Sequence, residues 1–151
     1  MNVLWDAPLV AAVAREVDER LAGARLRAVL MDRDARNLVL HFRSATLVFR
    51  LHPLHGDVAL LDARKPPPEA HALKARLREI MAPPDERLLM IQLQPSGGSP
   101  DPEGLVVELM SNQWNAIWLQ VGTRRIRRVL WPRDLEERTL RGGEVYRRPE
   151  P

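Results

Sequence analysis

Cysteine is absent from the 151 residues. Disulfides, thiolate nucleophiles and cysteine-built zinc sites are therefore excluded. Lysine is almost missing too: Lys65 and Lys74 are the only two among 23 basic residues. No apolar run approaches the roughly 20 residues a membrane helix needs. The opening MNVLWDAPLV has no basic stretch ahead of an apolar core, so no signal peptide is expected and the expected location is cytoplasmic. Gly97-Gly98 lacks the strand, helix and lysine of a phosphate loop. His52 and His55 lie in a loop with no third ligand in view, so no metal or other cofactor is expected. Nothing resembles a Ser-His-Asp set or a catalytic carboxylate pair, and the expectation is a protein that is not an enzyme.

What is present is enough chain for one domain with its own core. A formal net charge of +3 rests almost wholly on arginine. Arginine suits bidentate phosphate contacts and stacking on bases, although a compositional bias toward it needs no function. The densest positive charge is the run Arg124-Arg125-Ile126-Arg127-Arg128, a solvated turn or the best local phosphate-binding candidate.

The chain is organised around Glu103–Gln120. There Leu105, Val107 and Leu109 alternate with Val106, Glu108 and Met110, and Ala116 and Trp118 oppose Ile117 and Leu119. A period of two is a strand signal, and Ser111-Asn112-Gln113 supplies turn chemistry for a hairpin. Trp118 is expected in the core. Trp114 falls at the tip, where an exposed indole would stack on a base or pack on a loop.

Ahead of the hairpin, Asp6 to Ala22 reads as an amphipathic helix, with Asp6 as N-cap, Pro8 in the first turn and Gly23 at the C-terminal stop. Strands are expected over Arg25–Met31, Asn37–Arg43, Thr46–Leu51 and Asp57–Asp62, as an antiparallel meander. Pro66-Pro67-Pro68 must be extended. Glu69 to Met81 then reads as a second helix, with Leu73, Leu77, Ile80 and Met81 as its buried stripe and Lys74, Arg76 and Arg78 as a basic outer face. Asp85-Glu86-Arg87 opens a strand through about Leu93, and Gln94–Pro102 is a loop. Arg124 to Trp131 fits a short helix or a strand, because Ile126, Val129 and Leu130 follow helical spacing better than alternation. The tail from Arg138 is rich in turns, and one domain covering 1–151 is expected.

Several segments in this order carry a resemblance. They are the helix opening at Asp6, LAGARLRAVL, LHPLHGDVALL, KPPPEAHALKARLREIM, LVVELMSNQWNAIWLQ and RGGEVYRRPEP. Together they resemble the N-terminal domain of the NFACT proteins, older known as fibronectin-binding A proteins. That likeness implies an α+β fold: an antiparallel β-sandwich or barrel flanked by helices, like the N-terminal domain of formamidopyrimidine-DNA glycosylases. It does not imply their chemistry, since Met1 and Asn2 stand where those enzymes have a proline amine followed by glutamate.

The family acts in ribosome-associated quality control, so the resemblance implies tRNA and the large ribosomal subunit as partners and C-terminal tailing of stalled nascent chains as the process. It points to Asp6, and to Asp85 and Arg87 in place of an adjacent Asp-Arg pair, with Glu86 intervening here. With the basic residues Lys74, Arg78, Arg124, Arg125, Arg127 and Arg128, these are the expected RNA-binding residues. The alternatives are a glycosylase-like scaffold that binds or acts on DNA, and an adhesin or protein-interaction module.

Overall fold

The computed structural model describes residues 5–52, 54–98, 101–110 and 114–149. The only helix among them, α1 (Ala7–Leu21), starts where Asp6 caps it, its carboxylate accepting from the Leu9 amide at 3.0 Å. It ends at Gly23, whose φ of +82° suits a residue without a Cβ. Val10, Ala14, Val17 and Leu21 form its buried stripe.

Nine strands follow as one antiparallel sheet: β1 (Arg25–Asp32), β2 (Asn37–Phe42), β3 (Ala45–Arg50), β4 (Asp57–Asp62), β5 (His71–Met81), β6 (Leu88–Pro95), β7 (Glu103–Glu108), β8 (Asn115–Gln120) and β9 (Ile126–Val129). Their spatial order is β4-β3-β2-β1-β5-β6-β7-β8-β9. A two-residue pair, β10 (Arg133–Asp134) and β11 (Thr139–Leu140), completes the chain.

The ends of the sheet approach one another. Arg33, in the β1–β2 turn, donates from Nε to the Leu130 carbonyl at 3.0 Å. Trp114, at the start of β8, lies against Gly56, just before β4, so closely that a Cβ there would sit 1.8 Å from the indole. The inner face therefore encloses one core. Leu26, Leu38, Leu40, Phe42, Leu47 and Phe49 from one end meet Leu77, Leu89, Ile91, Leu105 and Val107 from the other, together with the α1 stripe. On the outer face, Leu88, Val106, Ile117, Leu119, Ile126 and Val129 form a second cluster beneath Leu140 and Tyr146 of the tail.

Helix α1, the meander and the Glu103–Gln120 arms match the expectations; residues 111–113, expected as the hairpin turn, lie outside the described residues. Two expectations are corrected. Glu69–Met81 is not a second helix, so one helix rather than several accompanies the sheet; its 71–81 portion is β5. Leu73 and Leu77 are four apart, a spacing that satisfies both a helical repeat and a period of two. Ala75, buried between them, and the exposed Lys74 and Arg76 are what alternation demands. The apparent helical offset to Ile80 is a β-bulge between Leu77 and Glu79.

The 124–131 ambiguity resolves to a strand for a similar reason. Leu119 pairs with Ile126 and Trp118 with Arg128, so Arg127 is an extra residue in β9. The bulge returns Ile126 and Val129 to one face three residues apart, which imitates helical spacing.

Candidate nucleic-acid interface

Strands β1 and β5 are neighbours, and their register sets Arg25 directly opposite Arg76 and Leu26 opposite Ala75. Because side chains alternate, burying Leu26 and Ala75 sends Arg25, Arg27, Lys74 and Arg76 outward. Arg43, just past β2, joins them, its amide bonded to the Arg25 carbonyl at 2.9 Å. These five cations surround a cleft of about 710 Å³, with Ala28, Ala72 and Ala75 in its floor and Pro66-Pro67 along one side. No aspartate or glutamate among the described residues lines it. Among the described residues, none of the five forms an ion pair with a carboxylate.

Like charges directly opposite on neighbouring strands are destabilising. The Arg25–Arg76 pair therefore carries a cost that a bound anion would relieve. Arg76 is held by its Nη1 donating to the Gly23 carbonyl at 3.1 Å, at the C-terminal end of α1. His41, buried beneath this region, bonds the Arg64 carbonyl through Nδ1 at 3.3 Å. Burial holds its imidazole below the ordinary value, and Arg27 and Arg64 add to that, so it stays neutral near pH 7. The cleft thus matches an anion that accepts several planar guanidinium contacts at once, as a phosphodiester backbone does.

Of the residues expected from sequence, only Lys74 lines this cleft. Asp6 is the N-cap. Arg78, exposed at the β5 bulge, reaches the Gln94 side chain at 3.5 Å. Asp85 and Arg87 do not share a strand face, because they precede β6 in a turn. Asp85 occupies the third position of Pro83-Pro84-Asp85-Glu86 with φ +60°, a backbone that aspartate tolerates better than most residues.

Three members of the arginine run, Arg125, Arg127 and Arg128, line one cleft together with Glu103, and Arg124 stands apart from them. Arg124 lines a cleft beside Tyr146, while Arg125 donates to the Gly143 carbonyl at 2.8 Å. Arg127 is 2.7 Å from the Glu103 carboxylate, and Arg128 is exposed beside it. Trp114 is buried at 6% exposure, edge-on to Trp5 with ring centroids 6.0 Å apart, so it offers no stacking surface. Arg25, Arg27 and Arg43 went unnoticed in the sequence. The alternation in RLRAVL places two of them outward, but nothing local says that β5 lies alongside.

No family model and no curated protein sequence matches the chain. Solved structures do. The N-terminal domain of the fibronectin-binding protein PavA from Streptococcus pneumoniae superposes with a TM-score of 0.81 at 19% identity, over 98% of this chain and 63% of that one. The chain shares that fold. The N-terminal region of the fibronectin/fibrinogen-binding protein from Streptococcus suis gives 0.74 at 20% identity, over 94% and 61%. The fibrinogen-binding protein from Staphylococcus aureus gives 0.75 at 20%, over 97% and 57%. The chain therefore spans about three fifths of the proteins it resembles. It is similar to them as a β-rich α+β domain, which fits the NFACT N-terminal fold expected from the motifs. None of the described helices is long and apolar enough to cross a membrane.

Proposed function

We propose that this domain is a non-enzymatic, cytoplasmic RNA-binding module that grips tRNA, and the large ribosomal subunit with it, within a ribosome-associated quality control factor supporting C-terminal tailing. On this reading the scaffold is of the glycosylase type without the reactive amine. The observation that carries it is the β1–β5 cleft: five cations, no acid, and two arginines opposed across the ladder. Phosphates relieve that repulsion and accept the guanidinium forks, and shape supplies most of the selectivity, as is usual for structured RNA.

The test is tRNA binding measured by fluorescence anisotropy across a salt series. Affinity should fall steeply as salt rises, because each neutralised phosphate releases counterions. Arg25→Glu with Arg76→Glu should abolish binding at physiological salt without unfolding the chain. Arg125→Glu with Arg128→Glu should weaken it less. Affinity that is absent at low salt, or indifferent to the first pair, refutes the reading.

A second reading is favoured by the names of the similar structures, which are fibronectin- and fibrinogen-binding proteins. Surface plasmon resonance against immobilised fibronectin separates the two. Saturable binding that survives the Arg25/Arg76 double substitution favours the matrix-protein reading.

A further inference from the structure

The outer face of β5 carries opposite chemistry at its two ends. Lys74 and Arg76 lie at one; Met81, 43% exposed, lies at the other. Beside Met81 opens a second cleft, of about 730 Å³. Its floor is Met90 of β6, Val106 and Gly104 of β7 and Leu119 of β8, and Val121 borders it. Gly104 keeps that floor low, since a Cβ there would come within 3.1 Å of Val121. Tyr146 forms part of the wall and is immobilised by donating to Glu108 at 2.6 Å.

Three arginines line the same cleft, Arg124, Arg147 and Arg148, and Glu79 is the one acid among the described residues that line it. Arg124 sits in a left-handed turn with φ +61°, its amide bonded to Gln120 and its carbonyl to Tyr146, both at 2.8 Å. Arg148 bends over the floor, with Nη2 3.5 Å from the Met90 sulfur. An apolar floor with adaptable methionines suits an alkyl chain. Arg148 is paired with Glu86, its Nη1 3.4 Å from the carboxylate, so Arg124 and Arg147 stand against Glu79 and leave an excess of positive charge for an anionic head.

We propose that this cleft binds a monomeric acyl carboxylate, its chain over Met81, Met90 and Val106 and its head between Arg124 and Arg147. The site shares no residue with the RNA cleft, so the two readings stand or fall separately.

The probe is decanoate, held below its micelle concentration and titrated into the full chain labelled at the methionine methyls. The Met81 and Met90 resonances should shift and saturate while Met31 stays still, and added tRNA should not reverse them. Arg124→Gln with Arg147→Gln should cost about tenfold in decanoate affinity. Decanol, lacking the charge, should bind more weakly and be indifferent to that pair. Gly104→Val, which fills the floor, should abolish the shifts, with an unchanged Met31 resonance reporting an intact fold. Uniform movement of every methionine, or decanol binding as tightly as decanoate, overturns the proposal. So does an equal response to anionic phospholipid vesicles, which would assign the cleft to a membrane surface rather than to a free acid.

Discussion

The two faces of the same strands are closed in different ways. On the inner face, α1 and the opposite end of the sheet cover β5–β8 through side chains that are almost entirely apolar. On the outer face, a smaller apolar cluster packs beneath Leu140 and Tyr146, and the tail is fastened there by buried ions as well. Glu108 is fully buried; it accepts two hydrogen bonds from Arg138, both at 2.7 Å, and one from the Tyr146 hydroxyl at 2.6 Å. Arg138 also donates to the Arg147 carbonyl at 2.9 Å, which ties the chain's last turns to the same point. The apolar face is held by the summed area removed from water. The polar clamp is strong only while all its members are present, because each charge is buried against the others.

That difference is open to attack. Glu108→Gln should be the most damaging change, at about 3–5 kcal/mol in denaturant unfolding, since it leaves Arg138 buried without its counter-charge. Glu108→Leu combined with Arg138→Met should recover most of the loss; if the double variant is as unstable as the single one, the ion pair is not what the tail depends on. On the inner face, Leu105→Ala should cost about 2–5 kcal/mol, and removing a polar partner elsewhere should not rescue it, because the penalty is a cavity.

Tyr146→Phe comes next, at about 1–3 kcal/mol, through the lost hydroxyl donor to a buried carboxylate. It carries a pH signature. Burial first, then the Glu108 charge, pushes the Tyr146 hydroxyl well above its ordinary value of about 10. The unfolded chain therefore loses this proton before the folded one does. Stability should be intact below about pH 10 and fall as pH rises beyond it. A phenylalanine ring has no hydroxyl to ionise, so the variant's stability should fall less steeply there; identical slopes would sever the link between this hydroxyl and the clamp.

The elements differ in how far sequence revealed them. The Asp6 cap, the α1 stripe and the alternating arms of β7 and β8 are local patterns with one reading each. β5 misled because a spacing of four serves both periods and a bulge displaced Ile80, and β9 was ambiguous because its own bulge imitates a helix. Glu108 was placed on the correct face, but Arg138 lies 30 residues away and Tyr146 38, so no window could join them. Its place beside an expected turn leaves Trp114 open to stacking on a base or to packing on a neighbouring loop. Only the sheet's closure showed that Gly56 leaves room to bury it.

The candidate cleft divides in the same way. The outward direction of Arg25 and Arg27 and of Lys74 and Arg76 follows from alternation within each segment. Their meeting follows from β5 pairing with β1, across the 38 residues between Asp32 and His71.

Local periodicity by itself determined which residues turn inward and which turn outward, because the geometry of a strand or helix is set by its own backbone. Which outward charges become neighbours, and which buried charge finds a partner, was decided by strand order and sheet closure, because those contacts join residues too far apart along the chain for any local pattern to encode.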